Sequence, residues 1–224
     1  MDLLLIPGFW LDGDSWGTVT PALEAAGHTV HPLTLPGKES LESNREGITL
    51  RDHVDAVVAY VDTLAPGVVL VGHSGGGAIA YAVARIVYVD SGPLAEGDCI
   101  NDQLPVVNGE VPLPEWDVFD DSSLTDLDDS LRAHFRSIAI PEPLGVTSDP
   151  QHLSNPRRLE VPATVICCEG PSEMFRQWIA EGHPYVAELG AARDYELVDL
   201  PTGHWPQFTK PAELAQLILT AVDR

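Results

Sequence analysis

The sequence predicts an α/β fold in which a mostly parallel sheet carries helices on both faces and is interrupted by one inserted segment. Three observations predict it. Short apolar runs rich in β-branched residues alternate with longer amphipathic stretches almost from end to end. That order of elements is the one that buries a parallel sheet between two helical layers. The 224 residues, 44% of them hydrophobic, are enough for one large core with a modest insertion.

The elements follow in order. Strands are predicted at Asp2 to Ile6, His28 to Leu33, Val68 to Val71, Arg85 to Asp90, Ala163 to Cys167 and Tyr195 to Leu200. The first helix, Trp16 to Ala26, contains Pro21, which suits a first turn and not an interior. The next, Leu50 to Leu64, places Val54, Val57, Val58 and Val61 on one face. A short apolar helix is predicted from Gly77 to Ala84, and a last one from Pro211 to Val222 opens on proline and repeats Leu214, Leu217, Ile218 and Val222 at helical spacing. Between Gly92 and Glu160 the alternation stops. This stretch is rich in Pro, Asp and Ser, its clearest helix is Leu124 to Ile138, and it reads as an inserted cap over residues 92–159, leaving 1–91 and 160–224 as the core.

Charge and cysteine content exclude several classes of function. Twelve basic against 34 acidic side chains give a net charge of −22, which repels nucleic-acid phosphates and anionic membranes. Neither is an expected partner. The opening Met1-Asp2-Leu3-Leu4-Leu5-Ile6-Pro7 has no basic region and too short an apolar run for a signal or a span, so a cytoplasmic location is expected. Cys167 and Cys168 are adjacent on a predicted strand, facing opposite sides, and Cys99 stands alone. No disulfide framework or zinc spacing exists. The acidic cluster Asp117, Asp120, Asp121, Asp126, Asp128 and Asp129 lacks the glycine turn and terminal glutamate of a calcium loop and reads as a solvated face.

The chemistry is carried by Gly72-His73-Ser74-Gly75-Gly76, which follows a predicted strand and precedes an apolar helix. A nucleophilic serine has to stand clear of its backbone, and a sharp strand-to-helix turn achieves this only where small residues flank it. A phosphate-binding glycine turn is the alternative, but neither a following Lys-Ser/Thr nor a G-x-G-x-x-G spacing is present. Ser74 needs a base. Among eight histidines, His204 in Pro201-Thr202-Gly203-His204-Trp205-Pro206 lies just past the last strand, at the sheet edge where open α/β folds place their sites. His28, His31, His53, His134, His152 and His183 read as surface loop residues, and at His73 the backbone geometry of the elbow is expected to matter more than the ring.

With strand, elbow serine, insertion and late histidine in this order, the chain resembles the α/β-hydrolase superfamily over nearly its whole length. It is most similar there to the small capped esterases related to methyl-ester esterases and hydroxynitrile lyases, through Ile6-Pro7-Gly8-Phe9-Trp10, Val87-Tyr88-Val89-Asp90 and Val161-Pro162. Pro7 departs from the histidine that family often has before the glycine. The resemblance implies a cofactor-independent serine hydrolase acting on a small hydrophobic ester or lactone, with the amides of Gly75 and Phe9 as an oxyanion hole. Hydroxynitrile lyase chemistry on the same residues, or a ligand receptor that keeps the pocket, are the other readings. For the third catalytic member the choice falls on Asp90, which ends the fourth strand, ahead of Glu169 and then Glu173 after the fifth, where Pro171 occupies the position of the family's aspartate. Trp10, Trp116 and Trp205, with Phe9 and Phe119, are the candidate aromatic walls of the substrate pocket, with ordinary packing of the cap as the alternative. Finally, His73 to Ala84 is a short crossover, and residues are expected to be missing at the Ala84-Arg85 joint.

Overall fold

The computed structural model describes residues 1–81, 85–153 and 155–224. Six parallel strands form the central sheet: β1 (Asp2–Ile6), β2 (Thr29–Pro32), β3 (Val69–His73), β4 (Ile86–Val89), β7 (Ala163–Cys167) and β8 (Tyr195–Asp199), in the order β2-β1-β3-β4-β7-β8. The chain first steps outward from β1 to β2, then crosses back to the other side of β1 and continues to β8. The reversal between β1 and β3 leaves a crevice beyond their carboxyl ends, and Ser74 follows β3 there.

Side-chain alternation sorts the core into two layers. Leu4, Ile6, Leu70, Ile86, Tyr88, Val165, Cys167 and Leu197 face α2 (Leu50–Val61) and α3 (Gly75–Ala80). Leu3, Leu5, Val69, Val71, Val87, Val89, Ile166 and Cys168 face α1 (Thr20–Ala25) and α9 (Pro211–Val222). Cys167 and Cys168 thus lie on opposite faces and are free thiols. Helix α2 starts at a capping box in which Thr49 and Asp52 exchange hydrogen bonds with each other's backbone amides. Pro21 and Pro211 both sit in first turns. A helix between β7 and β8, α6 (Ser172–Glu181), ends on Gly182 in the left-handed region, with the one-turn α7 (Ala187–Ala191) after it.

Between β4 and β7 the chain leaves the sheet. There β5 (Glu110–Val111) pairs antiparallel with β6 (Glu142–Pro143), flanking α4 (Asp129–Ile138), and α5 (Leu144–Ser148) follows. Helix α4 begins five residues later than its periodicity predicts, because the Asp128 carboxylate accepts the Leu131 amide and fixes the start there. His53 is a second correction. It lies buried on α2 with Nε2 at 2.9 Å from the Pro36 carbonyl, not in a surface loop. The expected gap at Ala84-Arg85 falls on residues 82–84 and lies outside the described residues.

Candidate active site

The elbow is shaped by what cannot fit around it. A Cβ at Gly72 would come within 2.6 Å of the Gly77 Cα, and one at Gly76 within 2.5 Å of the Pro7 carbonyl oxygen. Bare glycines let α3 start directly against β1 and force Ser74 into φ 51°, ψ −126°, a conformation costly for an L residue. It is held there from both sides. The Ser74 amide donates to Val89 O at 3.1 Å, and the Ser91 hydroxyl donates to Ser74 O at 2.6 Å.

His204 arrives from the loop after β8, ahead of the single-turn α8 (Pro206–Thr209). Its backbone is fixed on three sides: the His204 amide donates to Ser123 O at 2.9 Å, the Gly203 amide to Thr125 O at 3.0 Å, and the His73 ring bonds the His204 carbonyl through Nε2 at 2.7 Å. Burial, with the neighbouring His204 ring adding to it, pushes the His73 pKa down to about 3, so His73 is a neutral imidazole. A carbonyl only accepts, which puts the His73 proton on Nε2. The ring thus has a holding role of its own, beyond the elbow geometry expected to matter more at this position.

These elements bring three sequence-predicted side chains into one line. Ser74 Oγ lies 2.8 Å from His204 Nε2, and His204 Nδ1 lies 2.7 Å from Asp90 Oδ2. The other Asp90 oxygen accepts the amides of Cys168 at 2.9 Å and Glu169 at 3.2 Å, across from the end of the neighbouring strand. Glu169 Oε1 stands farther from Nδ1, at 3.7 Å, and Glu173 is exposed and faces Arg176 at 3.6 Å. Burial favours the neutral form of Asp90, but the hydrogen bond and charge of His204, with the Cys168 and Glu169 amides, outweigh it and hold the carboxyl below its usual range. Burial likewise opposes protonation of His204, and Asp90, assisted by Glu169, outweighs it to hold the imidazole above the ordinary histidine pKa. Donor atoms of Asp90, Glu169 and His204 lie within 4.8 Å of one another, the spacing of a metal cluster, yet His204 Nδ1 and Asp90 Oδ2 are already bonded to each other.

The Phe9 loop lies directly beside the serine, since a Cβ on Gly8 would approach Ser74 Cβ to 2.9 Å and one on Gly75 would approach Phe9 Cε1 to 2.8 Å. Among the described residues, neither the Phe9 nor the Gly75 amide has a hydrogen-bond acceptor. A cavity of about 200 Å³ opens from Ser74 and His204, with Ile100, Phe175, Tyr185 and Leu189 among its walls. Its lining corrects the expected one. Trp10 and Trp205 are buried and Trp116 half-buried in an aromatic cluster with Phe119 and Phe135, where the Trp205 ring lies 5.1 Å from Phe135 and 5.3 Å from Phe119. Such edge-to-face pairs add about 0.5–1.5 kcal/mol each beyond burial. These tryptophans fasten the excursion between β4 and β7 to the core loops, and the aromatic walls come instead from Phe175 on α6 and Tyr185 after it. Only the amphipathic run around Phe175 signalled this in the sequence.

The chain belongs to the alpha/beta hydrolase family, whose profile it matches over residues 3–217. No curated protein matches it. Solved structures do. An extracellular alpha/beta-hydrolase from a Paenibacillus species, described as sharing structural and functional homology with tobacco salicylic acid binding protein 2, superposes with a TM-score of 0.77 at 20% identity, covering 99% of this chain and 98% of that one. The methylesterase MES16 from Arabidopsis gives 0.74 at 20% identity, with 100% and 99% covered. A pyrethroid hydrolase from Sphingobium faniae JZ-2 gives 0.69 at 22%, with 100% and 97% covered. At these identities the likeness speaks to the fold. Among the described residues no helix is long and apolar enough to cross a membrane.

Proposed function

We propose that the protein is a serine hydrolase that cleaves a small, hydrophobic carboxylic ester or lactone without a cofactor. The observation that carries this reading is the hydrogen-bonded chain from Ser74 Oγ through His204 to Asp90, at 2.8 and 2.7 Å. In it His204 Nε2 takes the Ser74 proton as Oγ attacks the acyl carbon. The Phe9 and Gly75 amides receive the oxyanion, and Asp90 keeps the proton on Nδ1 and stabilises the imidazolium. His204 then protonates the leaving alcohol, and a water activated by the same ring releases the acyl group. Nucleophile, base, acid and anion donors all come from this chain.

The modest cavity and its apolar walls favour a small hydrophobic acyl or alcohol group. Asp98 and Ile100 contribute to that cavity from the excursion, which supports reading residues 92–159 as a cap. The likeness to the Arabidopsis methylesterase and to the Sphingobium pyrethroid hydrolase points the same way. Three free cysteines favour a cytoplasmic setting, which cell fractionation tests. The test of function is a panel of activated esters and lactones assayed with wild type and Ser74→Ala. Expected is a loss on the order of a millionfold in kcat, the scale of a triad acting as a unit. Hydrolysis that survives the substitution in a clean preparation removes the serine reading.

A further inference from the structure

The loop that carries the Phe9 amide is a tight turn under strain. The Leu11 amide donates back to Gly8 O at 3.3 Å, and Trp10, third of the four residues, has φ 64°. A four-residue turn with positive φ at its third position is ordinarily built with glycine or asparagine there. Trp10 is neither. Such a conformation persists only where surrounding structure over-determines it.

The restraint comes from far along the chain. Glu142, on β6 and 3% exposed, accepts the Trp10 amide on Oε1 at 2.5 Å. The same oxygen takes the ammonium of Lys38, which is 1% exposed and also donates to Ile140 O at 2.6 Å and Pro141 O at 3.3 Å. The Ile140 amide donates to Trp10 O at 2.9 Å, and the Trp10 indole donates to Val111 O at 3.1 Å. Trp10 is therefore bound at its amide, its carbonyl and its ring. A bare ion pair would glue the excursion to the core without an atom aimed at this turn, whereas Glu142 delivers its charge to the one amide that follows Phe9. Because the Gly8–Phe9 peptide is planar, a turn held with Gly8 O toward Leu11 fixes the opposite direction of the Phe9 N–H.

We propose that Glu142, paired with Lys38 in the interior, is a positioning residue that holds the Phe9–Trp10 turn so that the Phe9 N–H meets the oxyanion. This rests on the serine-hydrolase reading. Two double variants remove the buried charge alike and differ only in the acceptor offered to Trp10: Lys38→Met with Glu142→Gln keeps an amide oxygen there, and Lys38→Met with Glu142→Leu does not.

With a p-nitrophenyl ester, the glutamine pair is expected within a few-fold of wild type. For the leucine pair kcat is expected to fall by about a hundredfold, the scale of a lost oxyanion donor, with KM little changed. Inhibition by a trifluoromethyl ketone, whose adduct with Ser74 bears the oxyanion, weakens by the same factor. Equal kcat in the two pairs, or a leucine pair altered in KM alone, overturns the proposal. Should either pair misfold, replacing Trp10 by its α-hydroxy acid analogue removes this N–H and leaves both buried side chains in place; the same fall is expected, and an unchanged kcat overturns the proposal. Wild-type hydrolysis indifferent to Ser74→Ala would instead remove the underlying reading, whatever the pairs do.

Discussion

Asp90 and Glu169 compete for one nitrogen, and the carboxylate with the better supports is closer to it. The Cys168 and Glu169 amides orient Asp90, whereas Glu169 reaches His204 only at 3.7 Å. Asp90→Asn is expected to lower kcat by up to about ten-thousandfold through the wrong imidazole tautomer, as in the serine-protease precedent, while Glu169→Gln costs little. The pH profile adds a second readout. A base must be neutral to act, so kcat/KM rises with pH through the His204 pKa, which Asp90 raises above the ordinary histidine value of about 6.5. Removing that charge leaves burial dominant, and the midpoint of the rise moves to lower pH. Ser74 and His204 were legible in the sequence because each is defined by its own strand end and loop. Asp90 was legible only as the first of three candidate carboxylates, since what orients it toward His204 is a pair of amides at the end of the next strand, 78 and 79 residues away, a relation no local pattern carries.

The elements around the elbow were legible to within a few residues, because the strands are short apolar runs and the glycines mark the one place where β1, β3 and α3 meet. Gly76→Ala tests that meeting. Its added methyl would lie 2.5 Å from Pro7 O and 2.6 Å from Ile6 O, backbone atoms of the strand and loop beneath it. A loss of about 1–3 kcal/mol or more is expected in chemical denaturation, against a small change for Gly92→Ala, where nothing lies within 4 Å. His73 makes a contrasting case. Its ring holds the His204 carbonyl, so His73→Phe, close in shape but without the donor, is expected to shift the base and lower kcat by about a hundredfold in a steady-state assay, the scale of a 1 Å misplacement. The tryptophans were misread for a related reason. Position along the chain brought Trp10 and Trp205 near the sheet edge, but which side of a loop faces the cavity depends on what packs behind it, here Phe119 and Phe135.

For the whole molecule, a net charge of −22 on 224 residues means that folding gathers acidic groups against their mutual repulsion. Thermal stability is expected to rise with salt between about 0.01 and 0.15 M, as the screening length shortens from about 30 to about 8 Å. A melting temperature that is flat or falls over that range would show that the acidic surface is already compensated. The overall architecture was legible because alternation of strand and helix is spread over the chain, whereas the excursion was legible only as an interruption, its contacts being made with loops far away in sequence. Those contacts limit what can be exchanged. The carbonyls of Ser123 and Thr125 receive the amides of His204 and Gly203, and Glu142 receives that of Trp10. A chimera that transplants a sibling's excursion onto this sheet, hoping to import a new substrate range, would have to bring acceptors to the same three places, or it would change the selectivity of an enzyme it had already unbuilt.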